Sequence, residues 1–450
     1  MGAGTAQGGA CLLISGKVRK NMEFVVFAGV LLLLFIFMIV QELIQTKNQE
    51  KLFKKYLREN YGKEPPKEYS LERFARLGSY LERHKEEKQL DDITWNDLGM
   101  DEVFRRIDRT YSAAGEEYLY YTLRNISCGR EALEHLEEVV NWLQEQENIK
   151  VRIQLLMKRL GHLGKYSLYD YLDNLDYLGE RSNRKIVLGN LLYLPFLLLL
   201  FVQPAMGTIG IVLCMLWHIM TYFREKKVIE PYIISFAYVL RLIDVCEELE
   251  KQKIPVYRRE LDELREALKS LRELRRGAYW VMAGNQGKIG GNPLDILADY
   301  LRMILHLDIF QFNRMLEKLR KKTGQVENML AITGYLDMAI SVGGFRKSLE
   351  GYCIPKLEED TEKAFLHMKK GWHPLLSQPV KNSIRADRGI LLTGSNASGK
   401  STFLKMVAVN AVLAQTIHTC AAESYHAPIF QIFSSMALRD SMENGESYYI

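Results

Sequence analysis

Two runs without a charged residue, Ile186–Val202 (IVLGNLLYLPFLLLLFV) and Met206–Phe223 (MGTIGIVLCMLWHIMTYF), are separated only by Gln203, Pro204 and Ala205. At ~1.5 Å per residue each helix just crosses a ~30 Å hydrocarbon layer, and so short a joint forces the pair into a hairpin. Arg181, Arg184 and Lys185 precede it and Arg224, Lys226 and Lys227 follow. The positive-inside rule puts both flanks in the cytoplasm and the turn outside. A third run, Phe24–Val40 (FVVFAGVLLLLFIFMIV), predicts a further span, with the N-terminus outside if residues 42–185 are cytoplasmic. Met22, just after GKVRKN, is an alternative start. The expectation is a multi-pass protein of the cell membrane, with lipid as a partner and its soluble regions in the cytoplasm.

Between these runs the chain reads as helix. Leu133, Leu136, Val140 and Leu143 recur at helical spacing, and Leu261, Leu264, Leu268, Leu271 and Leu274 draw one stripe through YRRELDELREALKSLRELRR. That stripe predicts a packed helix with a solvated charged face, ahead of a dedicated coiled-coil surface. GNQGKIGGNP, Gly284–Pro293, is the clearest break. After Lys370 the short extended runs GWHPLL and RGILLTG announce an α/β unit. The six cysteines are scattered without a C-x-x-C pair, which points to neither zinc nor a disulfide framework. A net charge of +5 permits contact with nucleic acid or anionic lipid without demanding it.

The predicted organisation is a tail (1–22), a transmembrane helix (23–41), a helical region (42–185), the hairpin (186–224), a second helical region (225–370) and the α/β unit (371–450). The fold class is a mostly α-helical core and lever with transmembrane helices, followed by a partial α/β P-loop NTPase domain.

The motif that carries chemistry is Gly394-Ser395-Asn396-Ala397-Ser398-Gly399-Lys400-Ser401, which fits G-x-x-x-x-G-K-[ST]. GILLT before it reads as a buried strand and STFLKMVAVNAVLAQTI after it as a helix. Glycines let successive N–H groups turn toward phosphate oxygens at the positive end of that helix. Residues Gly394 to Thr402 are the predicted nucleotide site for ATP and Mg²⁺. Lys400 is assigned to the β- and γ-phosphates as the catalytic cation and Ser401 to the metal. A strand ending in a carboxylate is missing: APIFQIF has none, and Asp440 and Glu443 lie in a polar stretch. Binding is therefore the firmer expectation, and hydrolysis depends on residues outside the loop.

These residues resemble the MutS family of DNA mismatch-repair ATPases, whose loop typically reads G-P-N-M-x-G-K-S-T. GSNASGKST keeps Asn396 and carries Ser395 and Ala397 where Pro and Met are usual. LAQTIHTCAAESYHAPIFQIFSSMALRDSMENGESYY follows the family's course to a signature in which Asp440, Ser441, Gly445 and Ser447 fall on its positions. GYLDMAISV, YCIPKL and KKGWHPLL resemble its lever and the entry to its ATPase domain, with His373-Pro374 and Asn382 matching. FRRIDRTYSAAGEEYLYYTLRN is similar to the start of its helical core at Asp108, Thr110, Gly115 and Leu119.

The resemblance implies a homodimer in which Ser447 acts in trans on the partner's γ-phosphate, and DNA as a ligand. It also implies an acidic strand and a switch histidine beyond Ile450, so the chain reads as C-terminally truncated. No mismatch-recognition domain or Phe-x-Glu motif occurs, and mismatch recognition is not supported. Two other readings stand beside this one, a transporter-type ATPase subunit and a non-catalytic membrane scaffold with a vestigial nucleotide site.

Overall fold

The computed structural model describes residues 37–38, 40–41, 44–64, 69, 71–86, 88–126, 129–163, 167–275, 300–359, 364–395 and 398–436. Most of the apolar run 24–40, the break at 284–293 and residues 437–450 lie outside the described residues. The chain divides into two units, Met1–Asn60 and Tyr61–Ile450. In the first, residues 44–60 are helical, and Glu50–Lys54 and Lys55–Glu59 pair one turn apart on the exposed surface.

The second unit is built on helices whose ends are legible in local chemistry. Helix α1 is Leu71–Arg83, α2 Asp92–Leu98 and α3 Met100–Ile107. Asp91 caps α2 by accepting from Thr94 N, and Gly99, at φ 67°, closes α2 and opens α3 in the left-handed conformation that glycine adopts without strain. Next come α4 (Ala113–Arg124), α5 (Gly129–Glu145), α6 (Glu147–Leu160) and α7 (Leu168–Asp173).

Helix α4 lies against a later helix, α13 (Thr323–Ser348). Asp337 of α13 is 1% exposed and meets the N-terminus of α4: its carboxylate accepts from Tyr111 N at 3.0 Å, Ser112 N at 2.9 Å and Ser112 Oγ at 2.6 Å. The positive end of α4 holds that buried charge. A Cβ on Gly115 would stand 2.4 Å from Asp337 Oδ2, which is why glycine occupies the position. Asp108 is likewise buried, accepting from Thr110 N at 2.8 Å and Thr110 Oγ1 at 2.6 Å. Asp108, Thr110 and Gly115 therefore do structural work where α4 and the segment before it meet α13.

The predicted hairpin is present as α8 (Arg184–Leu191), α9 (Tyr193–Val202) and the first half of α10 (Pro204–Glu250). Gln203 makes the turn, with Gln203 N donating to Leu199 O and Gly207 N to Gln203 O. Segments Arg184–Val202 and Pro204–Glu230 are both long and apolar enough to cross a membrane, and only 6% and 28% of their apolar windows are buried within the protein. Phe201 (89% exposed), Val202 and Met220 (74%) point away from the rest of the chain. Small residues allow the arms to touch: a Cβ on Gly207 would lie 2.6 Å from Leu200 N. The expected boundary at residue 224 falls inside α10, which runs unbroken for 47 residues from the hairpin into the core.

Helix α11 (Arg258–Leu271) carries the leucine stripe. Leu261, Leu264, Leu268, Leu271 and Leu274 are 0–7% exposed within the core, so the stripe packs internally. Helix α12 is Leu307–Arg320. The remaining elements are strands β1 (Lys356–Glu358), β2 (Leu366–Gly371), β3 (Asn382–Ala386) and β4 (Ser424–Pro428), with helix α14 (Lys400–Ile417) between β3 and β4.

The sheet has the order β1-β4-β2-β3, parallel between β1 and β4 and antiparallel elsewhere. It begins at Lys356, before the change in composition after Lys370. The run GILLT, expected as a buried strand, is not in it: Gly389–Thr393 has no ladder partner among the described residues, and Ile390 and Leu391 are 54% and 89% exposed. A strand apolar on both faces needs neighbours on either side and helices above and below. Among the described residues the four strands of this sheet pair only with one another.

Candidate phosphate-binding loop

The loop of the sequence motif turns from this exposed segment into α14. Gly399 takes φ 85°, a left-handed conformation that lets the chain enter the helix abruptly. Phe403 N bonds Gly399 O at 2.9 Å, the first full turn, and no side chain caps the helix. No acidic residue stands in that turn, so its free N–H groups and the positive end of the dipole face outward uncompensated. Lys400 Nζ donates to Gly394 O at 2.7 Å and Ser395 O at 2.6 Å, folding the ammonium back over the loop. Ser398 N donates to Ser395 O at 3.3 Å. Ser401 and Thr402 are exposed in the first turn. Asn396 and Ala397, and downstream Asp440, Ser441, Gly445 and Ser447, lie outside the described residues.

What holds α14 in place is polar and buried. Asn410, fully enclosed, donates from Nδ2 to Trp372 O at 3.0 Å and accepts on Oδ1 from Ala421 N at 2.7 Å. Gln415 does the same one helical face further on, donating to Phe430 O at 3.0 Å and accepting from Phe430 N at 2.7 Å. Each amide supplies a backbone partner where a β-ladder would otherwise be required. His373 follows Trp372 directly and is 8% exposed, with its imidazole disfavoured as a cation by burial and then by Lys405 on α14. Asn382 is exposed at the start of β3 and bonds only locally, Nδ2 to Val380 O at 3.0 Å.

The other end of α14 is gripped by Arg346, from the last turn of α13 and 1% exposed. Its guanidinium donates to His418 O (2.9 Å), Thr419 Oγ1 (2.8 Å) and both carboxylate oxygens of Glu137 on α5 (3.0 and 2.7 Å). A cation thus meets the negative end of α14, and a bidentate carboxylate neutralises it. Glu137 lies partly buried, and the His418 ring 3.4 Å away together with the hydrogen bonds from Arg346 outweighs that burial and holds its carboxyl down at about 2. Three elements far apart in sequence, α5, α13 and α14, close on one guanidinium.

Arg346, Glu137 and Asn410 were not singled out from sequence. Signals existed: an arginine within the apolar run AISVGGFRKS, and an asparagine within VAVNAVL where helical spacing demands the core.

A G-x-x-x-x-G-K-S loop opening a helix defines a class of anion-receiving sites. Comparison with known proteins narrows the class. The family described as MutS domain V matches residues 390–450. Proteins named DNA mismatch repair protein MutS are similar over about a third of the chain. That of Acholeplasma laidlawii is 31% identical over 145 residues, 31% of this chain and 17% of the relative. Those of Listeria monocytogenes and Leptospira interrogans are each 30% identical, over 145 and 159 residues, 30% and 33% of this chain and 16% and 18% of the relative. Over these stretches the chain is similar to the MutS family. It spans less than a fifth of the length of the curated relatives it matches.

Proposed function

We propose that this protein is a membrane-tethered, MutS-like ATP-binding protein, in which nucleotide at the loop of residues 394–402 bears on the helical core. The observation that carries the reading is the open N-terminus of α14, uncapped and free of acidic residues, with the Lys400 ammonium folded over two loop carbonyls. Those residues fit a triphosphate: backbone N–H groups and Lys400 would hold the phosphates, and the Ser401 hydroxyl would ligate Mg²⁺. Bound Mg²⁺ supplies charge neutralisation for the phosphate oxygens. The chain's own part is to bind and orient, and to take the load from α14 into α13 and α5 through Arg346.

The exposed apolar hairpin, flanked on both sides by cations, supports insertion in the cell membrane with the loop on the cytoplasmic side. Dimerisation, with Ser447 reaching the partner's nucleotide, and DNA as a ligand are carried over from the family. Titration of the full-length chain with a fluorescent ATP analogue tests the reading. Lys400→Ala is expected to weaken binding at least about tenfold, the worth of one lost charge-assisted contact. Equal affinity in the two proteins refutes it. Filter binding at low salt tests the DNA role separately, where failure to retain any DNA removes it.

A further inference from the structure

At the foot of the hairpin, where both arms leave the apolar zone, a cavity of about 450 Å³ opens between α8, α10 and α12. Its rim carries Arg181, Lys185 and Arg224, and its walls include Trp217, His218 and Asn313. His218 is 1% exposed, and among the described residues neither ring nitrogen has a hydrogen-bond partner of good geometry. Asn313 is 7% exposed; its Nδ2 donates to Asn183 Oδ1 at 2.9 Å while its own Oδ1 accepts from none of the described residues. Arg181 Nε also lacks a partner among the described residues, although the guanidinium reaches Glu225 at 3.2 Å. Glu180 and Glu225 line the same space, and His306 closes it, its ring 5.1 Å from that of His218 with Nε2 against His218 O.

Buried polar atoms without partners are costly, so a cavity lined by several is short of a ligand that supplies both donors and acceptors. Cations at the mouth call for an anion, the imidazole N–H for an oxygen acceptor, and Asn313 Oδ1 for a donor further along the same molecule. We propose that this cavity binds the phosphodiester headgroup of a phospholipid bearing a terminal hydroxyl or ammonium, phosphatidylglycerol or phosphatidylethanolamine in chemical class. The inference rests on the reading of the hairpin as membrane-inserted. Free phosphate shares the anionic chemistry, but the cavity shares its walls with lipid-facing surface: Trp217 (49% exposed) and Ile186 line it, and Leu213 and Leu216 continue the apolar face. Acyl chains would lie there, and Trp217 sits at headgroup level, as interfacial aromatics do.

The test uses the full-length chain in nanodiscs of phosphatidylcholine with or without phosphatidylglycerol or phosphatidylethanolamine, followed by detergent extraction and native mass spectrometry. Retention of either guest lipid in preference to phosphatidylcholine is the expected result. Arg181→Gln combined with Arg224→Gln should cut that retention at least about tenfold. Lys185→Gln, at an exposed position that leaves folding intact, should cut it in the same direction and guards against a misfolded double variant. Retention of neither lipid, or stabilisation of the extracted protein by inorganic phosphate with no lipid retained, overturns the proposal. Alkaline carbonate extraction separates the two readings: a chain that stays in the membrane pellet yet retains neither lipid refutes the headgroup site alone, and a chain released to the supernatant refutes membrane insertion and the site with it.

Discussion

Glu117 on α4 is fully enclosed, with the Ser167 hydroxyl 2.8–2.9 Å from its carboxyl oxygens. Burial is the largest influence on it and pushes its carboxyl up to about 8. A folded-state value above the unfolded one means that the folded chain keeps a proton the unfolded chain has released. The associated stability is complete below the ordinary carboxyl value near 4.5 and is lost as pH rises toward 8. The slope reaches at most about 1.4 kcal/mol per pH unit. Glu117→Gln should flatten thermal stability between pH 5 and 8, read from melting of the detergent-solubilised chain; an unchanged slope excludes the buried carboxyl as its source. Glu137 carries the opposite sign, since its depressed carboxyl contributes stability above the ordinary value that is lost as pH falls toward about 2.

At the level of elements, the hairpin arms meet through glycine. Leucine at position 207 would drive a side chain into the backbone of Leu199 and Leu200, and overpacking of this kind costs about 1–3 kcal/mol. Gly207→Leu should therefore lower the melting temperature in detergent by several degrees, whereas an unchanged melt shows that the arms do not cross this closely. The helices were readable from sequence because their apolar stripes and caps are local: Asp91, Gly99 and the leucines of α11 announce themselves within a few residues. GILLT was misread for the converse reason. A strand is defined by its neighbours, and nothing in Gly389–Thr393 states whether a ladder is there to receive it. The phosphate loop was legible as a pattern of glycines and a lysine. Its anchors were not, since the Arg346–Glu137 pair joins positions 209 residues apart.

For the molecule as a whole that pair is the tie between the candidate site and the rest. Removing the guanidinium leaves Glu137 partly buried without its cationic partner and takes a donor from the Ile417 and His418 carbonyls at the end of α14. Arg346→Met is expected to destabilise the protein by about 3 kcal/mol. Denaturant melts of the full-length chain measure this, and a loss near zero would mean that α14 is held by Asn410 and Gln415 alone.

Helix α10 has a length that matters at this scale. Its 47 residues reach about 70 Å without an interruption, one end among the exposed apolar residues of the hairpin and the other among the buried residues of the core. A continuous helix links its two ends, so displacement imposed at one bears on the other. Under the membrane reading, the thickness of the surrounding bilayer acts on the packing of the core as directly as a substitution inside it.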